Sequence, residues 1–283
     1  MILLTGATSG IGRQAALALA PSGARLVVVG RDRAKTDGLV AELRAVNPHV
    51  EGLVADLSSQ AEVRRLAAEF LARFDRLDVL VNNAGAIYTT RDETVDGIER
   101  TFALNHLAYF LLTTLLLDRL KQSAPSRVVS VSSNAHRRGK MHWNDIGMRK
   151  YTTQGWGAYG QSKLANILFT RELARRLEGT GVTATCLHPG FVDTGFARNN
   201  GPIARLIMVL TRPFQRRADK GAETVVWAAT APELATATGH YFMDRAPKRT
   251  SAAGESVADA KRLWALSEEM VTPPASPTPT SPR

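Results

Sequence analysis

Tyr159 and Lys163 stand four residues apart in Tyr159-Gly160-Gln161-Ser162-Lys163, a spacing that puts two side chains on one face of a helix. A phenol, with a pKa near 10, is a poor base at neutral pH. An adjacent ammonium favours the phenolate and lowers that value, which would make Tyr159 a workable proton donor or acceptor. With five tyrosines in the chain the pair arises by chance too easily to stand alone. Support comes from polar residues that close apolar runs. Asn82-Asn83-Ala84-Gly85 ends one, Ser132-Ser133 ends another, and Pro189-Gly190, followed by Val192 and Thr194, ends a third. Asn105 is an amide inside the apolar stretch 101–117, either part of this group or an amide that packs helices together.

A second constellation lies at the start of the chain. Thr5-Gly6-Ala7-Thr8-Ser9-Gly10-Ile11-Gly12 joins a short apolar run to a helix-like segment. Glycines there permit a tight turn and bring backbone amides to a pyrophosphate at a helix N-terminus. The spacing is Gly-x-x-x-Gly-x-Gly rather than the commoner Gly-x-Gly-x-x-Gly, so its position between strand and helix carries much of the argument. The second apolar run ends at Gly30 and is followed by Arg31. A cation at that point pairs with the 2′-phosphate of NADP, whereas a carboxylate would repel it. Asp32 is read as the N-cap of the next helix. Arg13 and Arg33 either add charge nearby or are plain helix surface. NADP(H) is the expected cofactor.

These residues need a frame that brings loop ends together. Residues 1–4, 25–29, 50–55, 79–81 and 127–131 are strand-like, and helical spacing fills 11–20, 34–46 and 61–74. The alternation resumes with a helix from Tyr159 to about residue 177, a strand over 182–187 and a last short strand near 239–243. Strand and helix in alternation predict parallel βαβ units, hence an α/β doubly wound parallel sheet with helices on both faces. No linker interrupts it, so residues 1–271 are expected to form a single domain. Two excursions break the rhythm, a polar insertion over 133–156 and a basic, apolar segment over 191–217. Residues 272–283 are rich in Pro, Ser and Thr and are expected to be a disordered tail.

The 283 residues carry a formal charge of +10 and one cysteine, Cys186. A lone cysteine excludes an internal disulfide or a cysteine-cluster metal site and suits a reducing, cytoplasmic setting. No charged leader precedes the first apolar run, and no apolar run reaches the ~20 residues of a membrane span. The nearest, 104–117, contains Asn105 and His106. A soluble protein without a transmembrane segment is expected. The arginines are scattered rather than gathered with aromatics, which speaks against nucleic acid as a partner.

From about residue 1 to 242 the chain resembles the short-chain dehydrogenase/reductase family, and within it the retinol-dehydrogenase and WW-domain-oxidoreductase group. The similar stretches are Leu104-Asn105-His106-Leu107, Ser132-Ser133-Asn134-Ala135-His136, Ser162-Lys163-Leu164-Ala165-Asn166, Phe169-Thr170-Arg171-Glu172-Leu173 and His188-Pro189-Gly190. The resemblance implies a Rossmann-like fold and hydride transfer between NADP(H) and an alcohol or carbonyl. It implies Tyr159 as the group that exchanges a proton with the substrate oxygen and Lys163 as the residue that lowers its pKa and holds the nicotinamide ribose. Ser133 would orient the substrate oxygen, chosen over Ser132 by its place in the family motif, and Asn105 would support a water-linked proton path near Lys163.

The cofactor-binding set implied by the same resemblance is Gly6, Thr8, Ser9, Gly10, Ile11 and Gly12 at the pyrophosphate, Arg31, then Asp56 and Leu57 at the adenine. Asn83, Ala84, Gly85, Tyr159, Lys163, Pro189, Gly190, Val192 and Thr194 complete it toward the nicotinamide. The chain departs from its relatives in a short first strand with no hydrophobic anchor before it, so their membrane attachment is not carried over. The 133–156 insertion, with Arg137-Arg138-Gly139-Lys140, is expected to border the substrate entrance. Residues 191–217 are expected to be either a substrate lid for a lipophilic alcohol or carbonyl, with peripheral membrane contact, or an amphipathic helix packed on the domain. Homo-oligomerisation through 101–117 and 159–177 is expected. The alternative to an enzyme is a non-catalytic NADPH-binding sensor or scaffold on the same fold.

Overall fold

The computed structural model describes residues 1–150, 155–190 and 217–272. Eight strands form one sheet. They are β1 (Ile2–Thr5), β2 (Leu26–Gly30), β3 (Val50–Val54), β4 (Val79–Asn82), β5 (Ser126–Val131), β6 (Val182–His188), β7 (Tyr241–Met243) and β8 (Ala246–Pro247). Their order is β3-β2-β1-β4-β5-β6-β7-β8. The first seven pair in parallel and only β8 is antiparallel. The order reverses between β1 and β4, so the loops after these strands diverge and leave a crevice at their carboxyl ends.

The β-branched strands are buried on both faces, as a parallel sheet requires. Along each strand alternate residues feed different layers. Leu3, Val27, Leu80 and Val128 face one core, whereas Leu4, Val28, Val81 and Val129 face the other. The helices α1 (Gly10–Leu19) and α2 (Arg33–Arg44) cover the second of these, joined by α7 (Ala218–Thr230). The first is covered by α3 (Gln60–Arg73), α5 (Ala108–Gln122), α6 (Trp156–Arg176) and α8 (Val257–Val271). The remaining described α-helix, α4 (Arg100–Phe102), is a single short turn that runs into a π turn over Ala103–Leu107 and then into α5. Asp32 caps α2 by accepting from Lys35 N at 3.0 Å, as its position suggested.

The doubly wound sheet is as expected, and the differences lie in details. The stretch expected as one plain helix over 101–117 contains the π turn, with Asn105 inside it. From α4 to the end of α5 it is a 23-residue helical run long and apolar enough to cross a bilayer, yet 72% of its most apolar stretch is buried inside the protein. Helix α8 and the β7–β8 hairpin were not anticipated. The hairpin turns on Asp244 and Arg245, both at positive φ, with no glycine to announce it. Helix α8 did carry a signal, Ser256-x-x-Asp259, and Ser256 accepts from Asp259 N at 3.1 Å. Of the lid expected over 191–217, residues 191–216, which include Val192 and Thr194, lie outside the described residues, as does the tail from residue 273.

Candidate active site

The carboxyl ends of β1, β4 and β5 bring the expected residues into one neighbourhood. Thr5, the last residue of β1, ties the first two loops together. Its Oγ1 donates to the Val81 carbonyl at 3.2 Å and accepts from Asn83 N at 2.9 Å and Ala84 N at 3.1 Å. Asn83 answers with its amide, donating to the Thr5 carbonyl at 2.8 Å and the Gly6 carbonyl at 3.3 Å. A Cβ on Gly6 would lie 2.7 Å from Ala84 Cα, and Gly6 sits at φ +66°, so both packing and backbone demand glycine there. The loop delivers the chain to the N-terminus of α1. No side chain caps that terminus and no acid lies in its first turn, so amides and dipole are left facing Ser9 and Gly10.

Arg31 follows the end of β2, exposed and without a carboxylate partner among the described residues. The other two arginines weighed for this role are committed elsewhere. Arg13 holds both carboxylate oxygens of Glu42, at 2.8 and 2.6 Å, and Arg33 lies 3.9 Å from Asp37. Asp56 and Leu57 follow β3, next but one to β1 in the sheet. Asp56 Oδ1 accepts from Ser58 N and Oγ at 3.0 and 2.7 Å, and Leu57 is buried.

Asn105 occupies the π turn, a local widening that recurs at functional sites. Glu99 caps the short helix before it, accepting from Thr101 N at 2.8 Å and Phe102 N at 2.7 Å. The Asn105 side chain is fully engaged. Oδ1 accepts from Ala86 N at 2.9 Å, and Nδ2 donates to the Ala86 carbonyl at 2.9 Å and to Ser162 Oγ at 3.0 Å. It therefore fixes the loop after β4 against α6. The amide thus packs one element on another, beside the loop that carries Gly85. A Cβ on Gly85 would lie 3.0 Å from Asn105 Oδ1 and 3.5 Å from Lys163 Nζ, which puts the lysine amine at the same loop.

Geometry separates the two serines that end β5. Ser132 Oγ turns inward and donates to the Lys163 carbonyl at 2.7 Å, whereas the Ser133 hydroxyl meets the Tyr159 phenol. Lys163 Nζ donates to the Val131 carbonyl at 3.0 Å and lies 5.7 Å from the Tyr159 ring centroid. Burial pushes the Tyr159 phenol up to about 12, against the pull of the Ser133 hydrogen bond, and pushes Lys163 down to about 7. The expected lowering of the phenol by its ammonium neighbour is therefore not what the protein alone shows. Both groups are buried, and desolvation of the charged form is the largest influence on each. The phenol is held as a proton donor.

Several residues escaped the sequence reading. His136, one turn past Ser133, holds the Ser133 carbonyl through Nδ1 at 2.6 Å, while Nε2 accepts from Ser251 N at 3.3 Å. Acceptance at Nε2 places the proton on Nδ1, so the ring donates to Ser133 and fixes that loop. The backbone of the insertion packs closely on α6. A Cβ on Gly139 would overlap the Gly160 carbonyl, beside Tyr159. Trp156, 59% exposed, stands edge-on to Tyr159 with ring centroids 6.4 Å apart. Pro189 and Gly190 close β6, Gly190 at φ +95°. Among the described residues no group of three or more His, Cys, Asp or Glu is placed to hold a metal.

A family model described as short chain dehydrogenase matches residues 1–203. Mouse retinol dehydrogenase 12 is 43% identical over 274 residues, covering 96% of this chain and 86% of that protein. Human retinol dehydrogenase 13 is 39% identical over 286 residues, covering 95% and 84%. An uncharacterized protein from Mycobacterium paratuberculosis has a solved structure that matches with a TM-score of 0.77 at 34% identity, over 95% of this chain and 92% of that one. A short chain dehydrogenase from Burkholderia cenocepacia, solved in complex with NADP, matches with a TM-score of 0.69 at 27% identity, over 85% and 94%.

Proposed function

The chain belongs to the short chain dehydrogenase family and is an oxidoreductase acting on an alcohol or carbonyl, and from that premise we propose that it is NADP(H)-dependent and works on a lipophilic substrate. The observation that carries the reading is the Tyr159 phenol, hydrogen-bonded to Ser133 and flanked by Lys163 at the carboxyl end of the sheet. A bound nicotinamide supplies or accepts the hydride.

The residues of this chain do the rest. The uncapped N-terminus of α1, with Gly6, Thr8, Ser9, Gly10, Ile11 and Gly12, fits a pyrophosphate by its free amides and lack of side-chain bulk. Asn83, Ala84 and Gly85 shape the wall facing it. Arg31 is our candidate for the 2′-phosphate, because Asp32 is committed to capping α2 and Arg13 to Glu42. Tyr159 Oη gives its proton to the substrate oxygen as the carbonyl becomes an alcohol, and Ser133 Oγ holds that oxygen in place. Lys163 stabilises the phenolate left behind.

Two observations favour a lipophilic substrate. Trp156 presents an exposed indole beside Tyr159, and the curated relatives that match over most of the chain include retinol dehydrogenases. The test is NADPH oxidation by the wild-type protein and by Tyr159→Phe, against a panel of short polar and long apolar aldehydes that includes retinal. Turnover of the apolar members that collapses in the variant is the expected result. Preference for small polar aldehydes would overturn the substrate assignment, and equal turnover with NADH would overturn the cofactor assignment.

A further inference from the structure

Tyr109 stands one turn beyond Asn105 on α5 and is 1% exposed. Its ring centroid lies 5.8 Å from Lys163 Nζ, much as the Tyr159 ring lies 5.7 Å from it on another side. Ring packing does not account for a tyrosine here, since a phenylalanine would fill the same space, as Phe110 does next door. The Tyr109 hydroxyl has no hydrogen-bond partner among the described residues, and an unpaired hydroxyl in the interior is destabilising.

Two more polar atoms near it are in the same condition. Asn82 donates through Nδ2 to Thr113 Oγ1 at 2.9 Å, but its Oδ1 has no partner. Thr113 lies one turn after Tyr109, on the same face of α5. Ser130 is opposite Asn82 in the β4–β5 register, and its Oγ is unpartnered too. Leu80 and Val128, two residues earlier on each strand, point into the core beneath α5 and α6, so Asn82 and Ser130 point there as well. Ser130 immediately precedes Val131, whose carbonyl holds Lys163 Nζ. A phenol, an amide oxygen and a hydroxyl, all buried and unpartnered, thus belong to the layer between the sheet and α5, next to the strand whose Val131 carbonyl anchors the lysine.

We infer that Tyr109, Asn82 and Ser130 hold a buried ordered water behind Lys163, and that through it Tyr109 acts as a positioning residue for that lysine. Water is the ligand whose chemistry fits, being small, both donor and acceptor, and satisfied by two to four polar partners. The inference rests on the oxidoreductase reading for what Lys163 does. The titratable groups facing the amine are Tyr159 from α6 and Tyr109 from α5, whereas the buried His106 of the π turn faces Ser267 on α8. The elements from β5 and the Gly85 loop bring only backbone and uncharged side chains, and among the described residues no carboxylate offsets the burial of Lys163. A water polarised by the Tyr109 phenol therefore favours the ammonium, and its loss favours the free amine.

The experiment takes the wild type, Tyr109→Phe and Ser130→Ala through three readouts: a crystal structure, thermal melting and kcat and KM against pH. The expected results are an ordered water within hydrogen-bond distance of Tyr109 Oη, and a kcat about threefold to tenfold lower in Tyr109→Phe with KM unchanged. The alkaline limb of the pH profile moves to lower pH in both variants. A dry site overturns the proposal, and so does a Tyr109→Phe that melts higher with wild-type kcat and pH profile, because its hydroxyl was then merely stranded. An ordered water with an unchanged pH profile overturns the positioning role. If the wild type turns over no substrate the oxidoreductase reading fails, while the crystal structure and the melting still decide the water site.

Discussion

At Arg31 and Asp32 two adjacent residues of opposite charge sit where a cofactor phosphate would decide between them, and local structure makes the choice. The Asp32 carboxylate is turned to Lys35 N as a helix cap, which leaves the Arg31 guanidinium as the free charge. Replacing Arg31 by Ser removes a charge-assisted contact of ~1.5–3 kcal/mol, so KM for NADPH should rise about ten- to a hundredfold while that for NADH hardly moves. Steady-state kinetics with both cofactors checks this. At Trp156 the exposed indole beside Tyr159 contributes apolar area with no other evident use. Trp156→Ala should raise KM for a long apolar aldehyde about tenfold and leave that for a short one unchanged, in the same assay.

Among the elements, the π turn and α8 belong to one device. His106 follows Asn105 in the turn, is fully buried, and meets Ser267 Oγ on α8 at 2.9 Å through Nε2. Ser267 passes its own proton to the Leu263 carbonyl at 2.8 Å, so Nε2 is the donor. Burial lowers the His106 pKa from 6.5 to about 3, with the polar Asn166 side chain nearby pulling weakly the other way. Between those two values the unfolded chain binds the extra proton and the folded one does not. Stability is therefore fully present above pH 6.5 and falls as pH drops toward 3, by ~1.4 kcal/mol per pH unit at the steepest. Urea melts across the acid range should show that limb, and His106→Gln should flatten it. A second element-scale contact is the approach of the insertion to α6. Gly139→Ala drives a methyl into the Gly160 carbonyl and should cost about 1–3 kcal/mol with a lower kcat, since Tyr159 adjoins the displaced backbone.

Over the whole molecule, α8 changes which surfaces are available. Trp264 packs on Phe110 of α5 and Phe169 of α6, with centroids 4.9 and 6.0 Å away, and Arg176 lies 4.2 Å over its ring. Ala260, Leu263, Trp264 and Val271 join the same core. The two helices through which copies of the chain were expected to pair thus carry α8, the last described helix, packed against them. On that packing we expect α8 to compete with pairing by that route. Sedimentation velocity should show a chain shortened to residue 256 associating more strongly than the full one, and Trp264→Ala should cost about 3–5 kcal/mol through the cavity it leaves. Several of the 36 lysines and arginines behind the net charge of +10 are held in ion pairs. Arg25 and Arg73 share Glu51, and Arg65 joins Glu62 and Glu69.

Much of this was readable in the chain itself, because some signals are local. Alternating β-branched runs and amphipathic segments specify a parallel sheet with helices on both faces, since only that arrangement buries strands apolar on both sides. Gly6, Gly10 and Gly12 between strand and helix, and Tyr159 four residues before Lys163, are spacings that one turn of backbone translates directly into geometry. What needed the tertiary structure depends on neighbours distant in sequence. Ser132 and Ser133 are the same residue type side by side, and only the positions of Lys163 and Tyr159 decide which hydroxyl faces inward. The π turn leaves no mark in the Ala103–Leu107 residues, because its extra residue is accommodated by contacts to Ala86 and Ser162. The direction in which Tyr159 and Lys163 shift followed from burial, which spacing does not encode. Sequence supplied the reactive groups, and the fold set how dry their surroundings are, which determines the charge each one carries.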